Sequence, residues 1–370
     1  MINKARLVKH FAKLVAIDSP SFGERAMCDE IIAYLQAIGI RASEDDSAAK
    51  TGGTAGNLYA CAEGTLNLPS LLFSAHMDTV EPSRGKKAVF KPDGRITSDG
   101  TTVLGADDLS GVAVILEALT ALKESRKAHR PVEVLFDTAE EAYCVGIQQF
   151  DFSRIRSKEA YVFDLSGPVG GAAYQAPSII SFQADFCGRA AHAAFSPEEG
   201  IHAIKAAVAA TARIDCGRIG NATVNLGTIS GGSADNVVPE HCTVTGEVRS
   251  FCDGDAWAQL SEIESKFKKA EEEFGAIVNF RTKTLCLAYH VDSAGPVALR
   301  FKKACAESGL QPELCQTYGG SDNNHFATHG ITGLVLASGM SNCHSCGEYT
   351  SADELEHAAK LALALILSKE

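Results

Sequence analysis

The chain has no hydrophobic run long enough to span a bilayer, and it has too few basic residues to balance its acidic ones. Its longest wholly apolar run covers only residues 361–367, whereas a membrane-spanning helix needs about 20 such residues. The 34 lysine and arginine residues face 46 aspartate and glutamate residues, which gives a formal net charge of −12. Because phosphate binding requires clustered basic residues, we expect neither a membrane nor a nucleic acid as partner.

A secretory signal is also lacking, and the cysteines do not form a compact pattern. The 12 cysteines are spread from Cys28 to Cys346, unlike those of small disulfide-stabilised secreted domains. Residues 1–19 carry basic positions among apolar ones, which is typical of an amphipathic helix and not of a signal peptide. We therefore predict a cytoplasmic protein with reduced thiols.

Short apolar runs alternate with helical patterns along the chain, which indicates an α/β fold. Four of the runs have the continuous apolar character of buried parallel strands: 71–75, 132–136, 160–163 and 332–337. A polar residue capable of metal or acid–base chemistry follows each of them almost at once. Ligands bind outside the carboxyl ends of strands in an open α/β sheet, so these polar residues can converge.

The pattern changes between residues 178 and 287. Strand-like and helical stretches follow one another there as 178–187, 200–213, 221–230, 241–251, 255–274 and 276–287. This β-α-β-β-α-β order is typical of a ferredoxin-like α+β sandwich. Since a single core usually stops growing near ~250–300 residues, we predict two domains. The first is a mostly parallel sheet with helices on both faces, and the second is inserted into it.

Two acid-rich motifs lie in the first half of the chain. His76 and Asp78 follow a predicted strand, and on an extended chain such positions share one face. Asp78 could hold the imidazole so that its other nitrogen faces a metal, although a turn with a structural histidine is the commoner use of this pattern. Asp107 and Asp108 precede a helical stretch. One acid suffices as a helix cap, and the other could bridge two cations.

Further candidates follow the later strands. Glu140 and Glu141 come after a buried strand; they could form a solvated turn, or one could bind a metal while the other takes a proton from water. Asp164 ends the next strand. His344 lies between Cys343 and Cys346. A structural zinc site needs four ligands and the sequence has no second half for one, so we expect His344 to be the ligand and both thiols to be bystanders.

The combination of these residues is more informative than any one of them. Two imidazoles and three carboxylates are expected at strand ends of one sheet: His76, Asp107, Glu141, Asp164 and His344. A bridging aspartate, with one histidine and one further carboxylate per ion, gives each of two Zn²⁺ ions three protein ligands. Two cations about 3.5–4 Å apart would lower the pKa of a shared water towards ~7 and polarise a substrate carbonyl.

The motifs 74–80, 104–108 and 138–141, followed by His344, resemble a known family in order and spacing. This is the co-catalytic zinc aminopeptidase and carboxypeptidase superfamily, which includes peptidase T, aminoacylase and the succinyl-diaminopimelate desuccinylases. The likeness is closest to peptidase T-like proteins, and it runs from about residue 5 to about residue 365. The resemblance implies two Zn²⁺ ions per chain, with Co²⁺ or Mn²⁺ as substitutes.

The resemblance also implies a role for each residue of the site. The ligands would be divided as follows: His76 and Asp164 on one ion, Glu141 and His344 on the other, and Asp107 between them. Asp78 would orient His76. Glu140 would be the general base that activates the bridging water and later protonates the leaving amine.

The inserted segment carries further matches. Segment 188–194 resembles the family's lid motif, in which His192 would stabilise the oxyanion. Segment 231–239 also fits. Asn236 and Arg249 are candidates for binding the polar backbone or carboxylate of the substrate, although a surface or strand-pairing role is equally open.

Two residues depart from the peptidase T pattern, which usually has Lys at position 109 and Asn at position 202. This chain has Leu109 and His202. Neither is a proposed ligand, so the departures bear on substrate choice more than on hydrolysis.

We therefore predict a dizinc exopeptidase with a catalytic domain, 1–177 and 288–370, and a lid, 178–287, through which a homodimer would form. The expected substrate is a short peptide, cleaved at its N-terminal bond. An amidohydrolase of N-acyl or N-carbamoyl amino acids is the enzyme alternative. A catalytically silent peptide-binding homologue is the non-enzyme alternative, but the presence of Glu140 argues against it because a binding module needs no base.

Overall fold

The computed structural model describes residues 1–369. It contains nine α-helices in that range: α1 (Lys4–Val15), α2 (Arg25–Ala37), α3 (Ser47–Thr51), α4 (Ala106–Ser125), α5 (Ala203–Thr211), α6 (Asp253–Phe274), α7 (Pro296–Glu307), α8 (Asp322–Thr328) and α9 (Ala352–Leu367). Short 3₁₀ helices cover Ile147–Gln149, Phe152–Arg154 and Pro197–Glu199. Within residues 1–369 none of the helices combines the length and the apolar character that crossing a bilayer would require.

The strands are β1 (Ala42–Glu44), β2 (Leu58–Ala62), β3 (Leu71–His76), β4 (Val89–Phe90), β5 (Arg95–Thr97), β6 (Val132–Asp137), β7 (Glu159–Leu165), β8 (Gly171–Ala176), β9 (Ser178–Cys187), β10 (Gly217–Ile219), β11 (Ala222–Gly231), β12 (His241–Ser250), β13 (Ile277–Cys286), β14 (Tyr289–His290), β15 (Glu313–Gln316), β16 (Thr332–Ala337) and β17 (Tyr349–Ser351). The chain divides into two units. The first comprises Met1–Gln175, His290–Thr317 and the described residues from Ser321 onward, and the second comprises Ala176–Tyr289 with Tyr318–Gly320. The predicted domain limits, which also assign a role to each unit, remain a prediction.

The first unit is built on a mostly parallel sheet. Its strands lie in the order β1-β2-β6-β3-β7-β16-β8, and β6, β3, β7 and β16 run parallel to one another. These are the four strands predicted from the sequence. All residues of β3 and β6 are buried, and since successive side chains point to opposite faces, both faces of the sheet are covered. The predicted α/β fold class is confirmed.

Helix α4 packs on this sheet and is buried on nearly every side. Helices α1 and α9 in turn lie against α4. The predicted N-terminal amphipathic helix is present as α1, whose apolar face buries Leu7, Phe11 and Leu14. This packing fixes α4, and with it the turn that precedes α4, relative to the carboxyl ends of the parallel strands.

The second unit has a separate antiparallel sheet in the order β10-β11-β12-β9-β13. Helices α5 and α6 cover the sheet, and Phe182, Phe186 and Phe267 lie in the core between them. The order confirms the predicted β-α-β-β-α-β arrangement. The short strand β10 was not predicted. Helix α5 begins at Ala203 and not at residue 200, because the backbone of Gly200 is extended and His202 caps the helix.

Candidate metal centre

The carboxyl ends of the parallel strands bring the predicted ligands of the first unit together. His76 ends β3, and Asp164 is the penultimate residue of the adjacent strand β7. Asp107 lies at the start of α4, in a stretch with non-helical backbone angles. Glu141 follows β6, and His344 lies in the loop after β16. Residues that are far apart in the sequence therefore meet at one edge of the sheet.

Asp107 lies between the two histidines. Its Oδ1 atom is 3.1 Å from Nε2 of His76, and its Oδ2 atom is 3.3 Å from Nε2 of His344. His76 Nε2 is also 3.8 Å from Asp164 Oδ1, and His344 Nε2 is 3.0 Å from Glu141 Oε2. Each histidine thus faces a different oxygen of Asp107 and has a second carboxylate beside it. This grouping is the one expected for a bridging aspartate between two ions.

The charges of the site fit cations. Burial raises the pKa of the Glu141 carboxyl group and raises that of Asp164 well above its ordinary value. Burial also opposes ionisation of Asp107, but hydrogen bonds with His344 and His76 outweigh it and lower the pKa of Asp107. Glu141 Oε1 is buried and has no hydrogen-bond partner among residues 1–369. A buried carboxylate oxygen without a donor is costly unless a cation or a proton compensates it. The donor set suits Zn²⁺.

Asp78 makes contacts that the sequence did not reveal. Its Oδ1 atom is 3.4 Å from His76 Nδ1, but the backbone oxygen of Asp78 is closer to that nitrogen, at 3.0 Å. The carboxylate accepts hydrogen bonds from the amides of Glu140 and Glu141, at 3.0 and 3.2 Å, and from the hydroxyl of Ser21 at 2.6 Å. Asp78 therefore contacts both the histidine and the turn that carries the two glutamates.

Glu140 lies beside the predicted ligands. A carboxylate oxygen of Glu140 is within 4.8 Å of ligand atoms of His76 and Asp164. Burial raises its pKa well above the ordinary value, and the thiol of Cys144 donates to its Oε1 atom at 3.3 Å. The carboxyl group is thus in reach of a molecule bound at the metal centre, which general base catalysis requires.

Neither cysteine next to His344 joins a group of ligands. Cys346 is exposed. Cys343 is partly buried, and burial together with the charge of Asp107 raises the pKa of its thiol, which disfavours the thiolate. Within residues 1–369 no cluster of metal-ligating side chains includes either of them.

The predicted residues of the inserted segment lie in the second unit. His192 Nδ1 accepts hydrogen bonds from the amides of Ala194 and Phe195, both at 3.2 Å. The proton of the neutral ring must therefore be on Nε2, which is left as a donor. The Asn236 side chain is exposed, and its backbone oxygen accepts from the amide of Ala193.

Arg249 is already engaged by neighbours in the second unit. Its Nε and Nη2 atoms donate to the two carboxylate oxygens of Glu247, at 2.7 and 3.1 Å, and Nη1 donates to the backbone oxygen of Tyr318 at 2.8 Å. Three of the five N–H groups of the guanidinium are thus used. Any binding of a substrate carboxylate would depend on the other two.

The two departures from the family pattern have structural roles. Leu109 is buried in the first turn of α4. His202 caps α5, where its Nδ1 atom accepts from the amide of Lys205 at 3.3 Å. Asparagine is a common helix cap for the same reason, so His202 performs the capping that an asparagine would perform there.

Two buried acids near the site were missed. Glu348 accepts from the amides of Gly105 and Asp107, at 2.7 and 2.9 Å, and so holds the turn before α4. Glu24 accepts from the amide of Ala139 at 3.0 Å. Glu348 follows His344 by four residues, and this short spacing was the only signal for it. Glu24 gave none, because its partner is 115 positions away.

Comparison with known proteins identifies the family. The family model described as Peptidase family M20/M25/M40 matches residues 72–368. The uncharacterized protein YqjE of Bacillus subtilis (strain 168) is 34% identical over 99% of both chains. The structure of aminopeptidase PepT from Bacillus cereus ATCC 10987 has 35% identity and a TM-score of 0.90, and covers 99% of this chain and 98% of that one. A tripeptidase from Staphylococcus aureus subsp. aureus Mu50 has 30% identity and a TM-score of 0.94, with the same coverage.

These findings confirm the resemblance that the motifs indicated. The matched residues include most of both units and all five predicted metal ligands. The chain therefore belongs to peptidase family M20/M25/M40, and it is a peptidase T-like metallopeptidase-family hydrolase.

Proposed function

We propose that this enzyme is an aminopeptidase that acts on short peptides and works with two Zn²⁺ ions. The carrying observation is that Nε2 of His76 and Nε2 of His344 face different oxygens of Asp107, at 3.1 and 3.3 Å. Asp164 and Glu141 complete the two ligand sets. When bound, the two ions would supply an acidified water and polarise the substrate carbonyl.

Glu140 moves the proton in this proposal. Its carboxylate takes a proton from the water that attacks the peptide carbonyl, and it gives that proton to the amine that leaves. The pKa of Glu140 is raised by burial, which favours a carboxyl group that can hold the proton between the two steps. Asp78 keeps the Glu140 backbone in place through the hydrogen bond at 3.0 Å.

His192 would stabilise the transition state from the lid. Its Nε2–H group is left as a donor by the two bonds that Nδ1 accepts, and a donor of this kind can bind the oxyanion that develops on the carbonyl oxygen. Asn236 and the two remaining N–H groups of Arg249 would bind polar atoms of the peptide.

We also propose that the lid forms the contact surface of a homodimer. The outer edge of β11 supports this: β10 covers only residues 222–224 of that strand, and Ile229 is 52% exposed.

The names of the similar structures support the choice of substrate. One is called an aminopeptidase and the other a tripeptidase, both at 30% identity or more. We therefore propose that tripeptides are cleaved at the N-terminal bond.

We also propose a cytoplasmic location, consistent with twelve cysteines that form no disulfide within residues 1–369.

A panel of unblocked tripeptides, dipeptides and N-acyl amino acids tests this function on the zinc-loaded enzyme. We expect the tripeptides to be hydrolysed fastest, with release of the N-terminal residue. We also expect metal analysis to find two ions per chain, and chelation to abolish turnover until Zn²⁺, Co²⁺ or Mn²⁺ is restored. Faster hydrolysis of N-acyl or N-carbamoyl amino acids than of any peptide would replace the aminopeptidase proposal by the amidohydrolase alternative.

A further inference from the structure

The turn that carries Glu140 and Glu141 begins with an unfavourable backbone conformation. The φ angle of Ala139 is 51°, in the left-handed region that residues other than glycine rarely adopt. Such a conformation persists only where the surrounding structure holds it in place. The amides of Cys144, Val145 and Gly146 bond the carbonyl oxygens of residues 138–140 within the same loop. Ala139 has no polar side chain, so acceptors for the amides of the turn must come from elsewhere in the chain.

Two carboxylates from outside the turn accept three of its successive amides. Ala139 donates to Oε1 of Glu24 at 3.0 Å, Glu140 to Oδ1 of Asp78 at 3.0 Å, and Glu141 to Oδ2 of Asp78 at 3.2 Å. Although burial opposes its ionisation, the pKa of Asp78 is lowered by its contacts with His76 and Ser21, so Asp78 accepts as a carboxylate, and hydrogen bonds to an ionised acceptor are stronger than neutral ones. The backbone on either side of Glu140 is therefore held by acids, one of them at the start of α2.

The side chain of Glu24 makes few other hydrogen bonds. Its side chain is completely buried, and Oε1 also accepts from the amide of Phe22 at 2.7 Å. It precedes α2 but makes no capping hydrogen bond with its side chain. Oε2 is buried without a partner among residues 1–369. Burial of a carboxyl group in this way opposes folding, and it raises the pKa of Glu24 to about 7. Glu24 therefore differs from an acid that only caps a helix, because its side chain bonds the amide of Ala139 instead.

We propose that Glu24 is a positioning residue for the general base, which it serves by fixing the peptide between Thr138 and Ala139, one residue before Glu140. This inference rests on the proposed function, because only there does Glu140 move a proton. Among residues 1–369 Glu24 makes no hydrogen bond or ion pair with a predicted ligand, and its bond to the turn is the one from the Ala139 amide. A reacting group that is displaced by about 1 Å can lose about 100-fold in rate, so loss of this contact should lower kcat and leave metal binding intact.

Three variants test the proposal on the full-length, zinc-loaded enzyme. Glu24→Ala removes the acceptor, and kcat should fall by about 10- to 100-fold while KM and metal content stay near the wild-type values. Glu24→Gln keeps a carbonyl oxygen that can accept both amides, and its NH₂ group replaces Oε2, which no donor faces. It should therefore restore most of the lost kcat.

Glu133→Ala is the matched control. Glu133 is also completely buried, lies on β6 at the end away from the turn, and accepts from the amides of Ser157 and Arg156 at 2.7 and 3.0 Å. Its loss should lower thermal stability and leave kcat unchanged. The proposal is overturned if Glu24→Ala lowers kcat no more than Glu133→Ala does at equal folded fraction, or if Glu24→Gln is as impaired as Glu24→Ala.

Amide hydrogen exchange gives a readout that does not depend on turnover. Peptides covering residues 138–141 should exchange faster in Glu24→Ala than in Glu133→Ala or the wild type, and equal rates would overturn the proposal. If the wild type hydrolyses none of the test substrates, the proposed function fails, and the exchange measurement still decides whether Glu24 holds the turn.

Discussion

Replacing Asp78 by asparagine keeps the size of the side chain and removes its charge. The change therefore tests whether the hydrogen bonds of the carboxylate, and not only its packing, hold the turn. The side chains are isosteric, but the amide has one oxygen where the carboxylate has two. Oδ1 accepts from the amide of Glu140, and Oδ2 accepts from the amide of Glu141 and from Ser21. In either orientation the NH₂ group of Asp78→Asn therefore faces a partly buried backbone N–H group. One such group loses its acceptor.

The magnitude follows from these contacts. A donor that is left without an acceptor at such a site costs about 1–3 kcal/mol, and the remaining bonds lose about half of their strength when the acceptor is no longer ionised. We expect Asp78→Asn to lower the free energy of unfolding of the metal-free protein by about 2–4 kcal/mol. The carboxylate also faces Nδ1 of His76 at 3.4 Å, so metal affinity should fall by about 10- to 100-fold.

Urea unfolding and metal titration measure the two effects. The urea midpoint should fall without a change in the m-value. Ser21→Ala is the control, because it removes one of the donors to Asp78 and should cost only about 1 kcal/mol, with metal affinity unchanged.

The pKa of Asp78 is lowered in the folded chain: burial opposes ionisation, but contacts with His76 and Ser21 and the Glu140 amide outweigh it. The advantage of the wild type should therefore be present above the unfolded pKa, about 3.9, and be lost as the pH falls below it. If Asp78→Asn costs no more than Ser21→Ala, the contacts of Asp78 do not hold the turn as we infer.

Three further changes have defined outcomes. Glu140→Gln should lower kcat by about 100- to 10,000-fold with two metal ions per chain retained in metal analysis, and full activity would rule out Glu140 as the base. Burial raises the pKa of Glu348 to about 7 from its ordinary value of 4.5. The free energy of unfolding of the metal-free wild type should therefore fall as the pH rises from 4.5 to 7, by about 3 kcal/mol from this group. Urea unfolding of Glu348→Gln should show a flatter pH profile, and identical profiles would contradict the assignment. Cys343→Ser combined with Cys346→Ser should keep the metal content of the wild type, and loss of an ion would show that a thiolate binds one.

The sequence was sufficient for the central strands because their environment leaves a simple pattern. Strands β3, β6, β7 and β16 are buried between layers, so they are continuous apolar runs with a polar residue after each. The antiparallel unit was predicted from the order of its strands and helices alone. Strand β10 was missed because it has only three residues, and Arg218 and its neighbours have no apolar alternation.

Contacts between distant residues explain most of what the sequence did not reveal about the site. Glu24 and Ala139 are 115 positions apart, and nothing in either segment indicates the other. The pair Glu247 and Arg249 is different. Both lie on β12 two positions apart, where side chains share a face, so their ion pair could have been predicted. That pairing bears directly on whether Arg249 is available to a substrate.

The charge of the site gives a reason for its composition. Five buried or partly buried acids, Asp78, Asp107, Glu140, Glu141 and Asp164, contribute −5, and within residues 1–369 their ion pairs all come from His76 or His344. With both imidazoles protonated the sum is −5 + 2 = −3, which a buried site tolerates poorly. Metal binding requires neutral imidazoles, and two divalent ions then give −5 + 4 = −1. The remaining charge is that of one carboxylate. When Glu140 accepts a proton from the attacking water, that charge passes from the carboxylate to the hydroxide, so the general-base step leaves the net charge of the loaded site at −1 and adds no further buried charge.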